Sequence, residues 1–152
     1  MHHEQFIARL ANRLGLRKLE FNDDAVCRLI LDQRHAIDIE WVEHGESIYL
    51  YAVVHSCASA LSSRYAELLA ANLFGRSTHD AVLGLDEHRD EVLLTRKFNL
   101  VNLDMEWFVV QLEGFVDAVA KWADRLEHPF VRAESDHGSA VADESAAGLL
   151  RV

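Results

Sequence analysis

Ser47-Ile48-Tyr49-Leu50-Tyr51-Ala52-Val53-Val54-His55 is the stretch on which the fold turns. Ile48, Tyr49, Leu50, Tyr51, Val53 and Val54 place apolar or aromatic groups on both faces of an extended chain. That pattern predicts a central strand covered on both sides. Upstream, residues 35–42 alternate Ile37, Ile39 and Trp41 against Ala36, Asp38 and Glu40, which reads as a strand. Glu43-His44-Gly45-Glu46 joins the two as a turn, with Gly45 free to take a positive φ. Residues 25–31 form another strand, with Cys27, Leu29 and Leu31 on one face and Val26, Arg28 and Ile30 on the other. Its link, Asp32-Gln33-Arg34, has hairpin length.

Helical spacing frames this meander. Residues 4–14 carry Phe6, Ile7, Leu10 and Leu14 on one stripe, and Gly15 follows as a stop. Ser62 and Ser63 are expected N-caps of a helix running to Phe74, with Tyr65, Leu68, Leu69 and Leu73 as its stripe and Gly75 as its stop. Residues 81–85 and 91–98 read as a second hairpin across Asp86-Glu87-His88-Arg89-Asp90. Asp104 opens the longest helix, which reaches Glu127 through Phe108, Leu112, Phe115, Val116, Val119, Trp122 and Leu126 before Pro129. Trp107, Val109 and Val110 lie off that stripe, which points to deep burial or a subunit contact. The expected class is α+β: helix, three strands, helix, two strands, helix, with an antiparallel twisted sheet flanked by helices. Residues 1–130 are expected to form one domain, and residues 131–152 a flexible acidic tail.

Composition narrows the function. The 152 residues carry 15 Lys plus Arg against 25 Asp plus Glu, a net charge of −10. That argues against nucleic acid or an anionic membrane as partner. The opening residues, Met1-His2-His3-Glu4-Gln5-Phe6, lack a basic-then-apolar export pattern, so a cytoplasmic protein is expected. No dinucleotide or phosphate-binding glycine loop, nucleophile elbow or metalloprotease helix motif is present. His55 and Cys57 offer two metal ligands, but no second pair follows at zinc spacing. The carboxylates at Asp23-Asp24, Asp86-Glu87 and Asp90-Glu91 read as turn residues. No catalytic residue, metal or cofactor is expected. The residues by themselves describe a binding module that self-associates, with Val26 and Ile30 either under a helix or left open for another chain.

The chain resembles the class I type III secretion chaperones of the CesT/Tir-chaperone family. The likeness is carried by Leu14-Gly15-Leu16 leading to Leu19-Glu20-Phe21-Asn22-Asp23-Asp24, and by Cys27-Arg28-Leu29-Ile30-Leu31-Asp32. It continues through Leu50-Tyr51-Ala52-Val53-Val54 and Leu68-Leu69-Ala70-Ala71-Asn72-Leu73-Phe74-Gly75. Leu83-Gly84-Leu85-Asp86, Val92-Leu93-Leu94 and the spacing of Phe115, Val116 and Trp122 complete it. The departure is Ser77-Thr78-His79-Asp80, where the family often has a Gly-rich turn. The resemblance implies a cytoplasmic bacterial homodimer that binds the N-terminal segment of a secreted effector in extended form. It uses no ATP or cofactor, and the secretion-apparatus ATPase is a further partner. The alternative it leaves is a regulatory protein of the same fold that sequesters a secretion regulator. Mapped onto this chain, it implies effector binding by Phe6, Ile7, Leu10, Val26, Arg28 and Ile30. It implies a dimer interface at Leu69, Leu73, Val82 and Leu83, with the last helix as core cover.

Overall fold

The computed structural model describes residues 3–31, 34–42 and 46–128. The two expected turns around Gln33 and Gly45, the stop at Pro129 and the acidic tail lie outside the described residues. The chain runs α1 (His3–Arg13), β1 (Val26–Leu31), β2 (His35–Val42), β3 (Ser47–His55), α2 (Tyr65–Ala71), β4 (Val82–Asp86), β5 (Glu91–Asn99) and α3 (Met105–Glu127). The five strands form one antiparallel sheet in the order β1-β2-β3-β5-β4. The expected α+β order and the central place of β3 are both found.

The core lies on one face of that sheet. Cys27, Leu29, Ile37, Ile39, Ile48, Leu50, Ala52, Val54, Val92, Leu94 and Phe98 point into it. They meet Phe6 and Leu10 of α1 and the stripe Phe108, Leu112, Phe115, Val119, Trp122 and Leu126 of α3. Rings interlock where the two helices meet: Phe6 and Phe98 each pack edge-on against Phe108, at 5.4 and 5.1 Å between centroids. Both long helices take this side, so among the described residues the other face of β3 is not covered, contrary to the expectation from its apolar pattern. Tyr49 and Val53 stay exposed there, because the helices that would cover them are already committed.

Asp104 is the N-cap of α3 and accepts the Trp107 amide at 2.7 Å, as its position before the apolar stripe implies. Asp104→Ala is expected to cost about 1 kcal/mol and to lower the thermal midpoint by about 3 °C in a circular-dichroism melt.

The segment before β4 departs from the single helix expected. A 3-10 turn, Ala58–Arg64, precedes the seven-residue α2, and a second, Leu73–Gly75, follows it. Neither Ser62 nor Ser63 caps a helix, since the 3-10 turn already begins upstream of them. Its start is fixed from a distance: Asp90, in the β4–β5 turn, accepts the Ala58 amide through its backbone at 2.8 Å. Its side chain accepts the Ser59 amide at 2.7 Å and the Ser59 hydroxyl at 2.8 Å, bonds that hold the Asp90 carboxyl below its ordinary range. Downstream, Phe74 and Gly75 both take left-handed backbone, at φ 58° and 63°, and end the helical path.

Candidate functional site

The uncovered sheet face is the first component. Side chains of alternate residues meet across it in register: Arg28 opposite Asp38, Asp38 opposite Tyr51, Tyr51 opposite Thr95, and Thr95 opposite Val82. Ile30, Tyr49, Val53 and Val82 are exposed on this face, Ile30 at 69 %. Apolar side chains on one sheet face with nothing over them among the described residues form a contact surface rather than a core.

One charged pair is set among them. Arg28 grips Asp38 with two bonds of 2.7 Å, while Asp38 itself is almost fully buried. The Asp38 hydrogen bonds and charge hold the Arg28 guanidinium more firmly protonated than usual. Burial, then the charges of Asp38 and Glu40, push the Tyr51 phenol up. The pair fixes the Arg28 side chain at the sheet rim, with both arms of its fork spent on Asp38.

The two sheet edges differ in backbone chemistry. In β4 the Asn72 side chain accepts the Leu83 amide at 2.8 Å and donates to the Leu83 carbonyl at 2.9 Å. Thr78 takes the Ala81 carbonyl at 2.6 Å and offers its own carbonyl to the Ala81 amide at 3.1 Å. The Thr78 hydroxyl is the donor to Ala81, which immediately precedes β4, so strand addition is blocked at Ala81 and Leu83, the first half of that edge. In β1, residues 25, 27, 29 and 31 turn their amides toward β2, so Val26, Arg28 and Ile30 turn theirs outward. Asn22 answers Val26 with two bonds of 2.9 Å; Arg28 and Ile30 lie on the edge with no strand beside them among the described residues. This is an open template for an extended chain.

Beside β1 a groove of about 570 Å³ runs between α1 and the segment leading into β1. Trp41, Phe21 and His3 form its aromatic side, with centroids 6.0–6.2 Å apart. A second hollow, of about 310 Å³, lies between α2 and β4, walled by Tyr65, Leu69 and Leu85. Leu69 on its wall, and Leu73 and Phe74 further along the chain, are exposed at 73 %, 63 % and 76 %.

These positions sort the expected site residues. Val26, Arg28 and Ile30 come together on the outer face at the open edge. Phe6, Ile7 and Leu10 do not join them: all three are buried, and only Ile7 touches the groove wall. Phe6 packs on Phe108 and Trp41, because α1 has one apolar stripe and the sheet takes it. Leu69 and Leu73 share an exposed helical side. Val82 and Leu83 cannot share a surface, since neighbours on a strand face opposite ways; Leu83 is buried and Val82 is open. The last helix does cover the core, yet Trp107 and Val110 remain exposed along it. The sequence reading passed over Phe21, Trp41, Tyr49, Val53 and Phe74. Alternation in β3 already set Tyr49 and Val53 on one face; nothing local marked the others. Among the described residues no three His, Cys, Asp or Glu side chains gather as a metal-ligand set. No helix among them is long and apolar enough to cross a membrane.

Residues 5–123 match the family model described as Tir chaperone protein (CesT) family. The chain belongs to that family. As a member of this family of type III secretion chaperones, the CesT-family chain is similar to a Tir chaperone of Citrobacter freundii, 24% identical over 123 residues, which span 81% of this chain and 76% of that one. Its fold is similar to that in the crystal structure of the ExsC-ExsE complex, with a TM-score of 0.67, 21% identity, and coverage of 79% of this chain and 90% of that chain. It is also similar to the structure of the HopA1-SchA chaperone-effector complex, with a TM-score of 0.68, 18% identity, and coverage of 80% and 93%. The CesT-family chaperone therefore has the helix, five-strand antiparallel sheet and C-terminal helix of these neighbours.

Proposed function

We propose that this CesT-family chaperone binds the N-terminal segment of a secreted effector and keeps it soluble and extended in the bacterial cytoplasm. The observation that carries this reading is the uncovered sheet face bounded by an open edge. Apolar client side chains find Ile30, Tyr49 and Val53, and client backbone finds the outward amides and carbonyls of Arg28 and Ile30. The chaperone acts by binding alone and catalyses nothing. Apolar contact with backbone pairing tolerates varied sequences, which suits a client held unfolded. A net charge of −10 keeps the unloaded protein dispersed. After loading, the secretion-apparatus ATPase is the partner that receives the complex.

The test is native co-purification followed by mapping of the bound protein. A secreted protein whose N-terminal segment alone binds with the affinity of the whole supports the reading. Binding only through a folded domain, or only to a non-secreted regulator, overturns it.

The working unit in this reading is a homodimer joined through α2 and β4. With the outward backbone of Leu83 already taken by Asn72, the contact relies on Leu69, Leu73, Phe74 and Val82 side chains rather than on a continuous sheet. Leu69→Asp with Leu73→Asp is expected to give monomers by light scattering, with little change in each subunit's secondary structure, because both side chains are exposed in the subunit. A stable dimer at the same concentration would move the interface elsewhere.

A further inference from the structure

The groove between α1 and β1 has a chemistry distinct from the open sheet face. Its aromatic side is the Trp41, Phe21 and His3 cluster, and its rim carries the carboxylates of Glu4, Glu20 and Asp23. Glu20 is paired with Lys18 at 2.8 Å. Glu4 and Asp23 have no ion-pair partner among the described residues. Indole and phenyl faces carry negative quadrupole charge, and a guanidinium or ammonium over them gains further attraction from nearby carboxylates. Arginine fits best, because its planar group stacks on a ring while its edge donates to carboxylates. We propose that this groove is an anchor pocket for a basic side chain, arginine above lysine, in the extended client segment that pairs along β1. The inference rests on the chaperone reading and adds the chemical class of its anchor. The open β1 backbone sets the path of the segment, and the groove at the head of that strand selects one residue of it. An apolar groove would instead accept any bulky aliphatic side chain, and uncommitted carboxylates at its rim would oppose an acidic one.

Calorimetry with the full chain tests this. The probe is a blocked octapeptide of alternating serine and valine with one central arginine, compared with versions bearing citrulline, norleucine or glutamate there. The arginine peptide is expected to bind at least tenfold tighter than the citrulline peptide, which keeps shape and loses charge. That advantage should shrink between 50 and 500 mM salt, as screening of a partly exposed pair requires. Glu4→Gln with Asp23→Asn should remove the arginine preference and leave the thermal midpoint unchanged, since both groups are exposed. Trp41→Leu should weaken the arginine peptide most, with the Trp41 indole resonance of the parent protein shifting on titration. Equal binding of arginine and citrulline, tighter norleucine or glutamate binding, or no binding of any peptide would each overturn the anchor. If a mapped client binds along β1 with an aliphatic residue in the groove, the anchor fails and the chaperone reading stands. If the arginine peptide binds but no secreted client does, the chaperone reading fails instead.

Discussion

Arg64→Ala is expected to destabilise the fold by about 3–5 kcal/mol, the range for removing one partner of a buried pair. Arg64 is almost fully buried between α2 and the end of α3. Its guanidinium donates to the carbonyls of Arg125 at 3.1 Å, Leu126 at 3.4 Å and His128 at 3.0 Å. These carbonyls lie in the last turn of α3 and just beyond it, where helix carbonyls lack intrahelical partners. The same group holds Glu67 with bonds of 2.8 and 3.2 Å, and Arg125 approaches Glu67 from the other side. Alanine leaves the carbonyls unanswered and one arginine facing a sheltered carboxylate. The thermal midpoint should fall by roughly 10 °C. Arg64→Lys should recover only a fraction, since an ammonium lacks the flat fork. A loss below about 1 kcal/mol would show that water replaces the guanidinium without penalty.

The same cluster sets an acid limit on stability. Burial by itself would raise the Glu67 carboxyl, but the hydrogen bonds and charges of Arg64 and Arg125 outweigh it and hold the group below its usual range. A depressed carboxylate stabilises the fold fully above its unfolded value, about 4.3 for glutamate. That contribution is lost as pH falls through the lower folded value. Acid titration followed by circular dichroism should show stability declining below about pH 5, and Glu67→Gln should flatten part of that decline while lowering stability near neutrality.

The second large effect concerns binding. Val26→Asp combined with Ile30→Asp is expected to weaken client capture by more than about 100-fold, since covering two such side chains is worth roughly 3–6 kcal/mol. Both lie on the outer face of β1, beside Arg28 and at the open edge, and Ile30 is 69 % exposed in the subunit. Carboxylates there would be desolvated by an incoming segment and would lie near Glu40 and Asp38 across the register. Fold and dimer should persist, because the core uses Cys27 and Leu29 on the opposite face. Co-purification with the client measures the effect, and unchanged capture would remove β1 from the binding surface.

Much of this architecture is visible in local patterns. Two-residue alternation locates β1 and β2, a run apolar on both faces locates β3, the turn at residues 86–90 locates β4 and β5, and Asp104 with the stripe from Phe108 to Leu126 marks α3. The motifs around Leu14-Gly15-Leu16 and Leu68 to Gly75 carry the family likeness in a chain that local physics alone describes only as a binding module. The middle segment is read less well, because its ends are fixed by distant partners: Asp90 at the start of the 3-10 turn, Arg64 at the end of α3, Asn72 against β4. A window of local sequence holds no signal for bonds that span 11, 31 or 61 residues.

The groove residues show the same division. Alternation assigns Ile30, Tyr49 and Val53 to one side of a strand, and helical spacing assigns Phe6 and Leu10 to one side of α1. Periodicity names two sides without saying which is covered. The order of the elements, the antiparallel pairing and the acidic, motif-poor character of the chain were determined by the amino acids themselves. Which apolar surfaces became interior was decided only when α1 and α3 settled on the same face of the sheet. That choice buried Phe6 and Leu10, which were expected to hold a client, and left Ile30, Tyr49 and Val53 in the open, because two helices fill one side of a five-stranded sheet and no other helix among the described residues covers the opposite side.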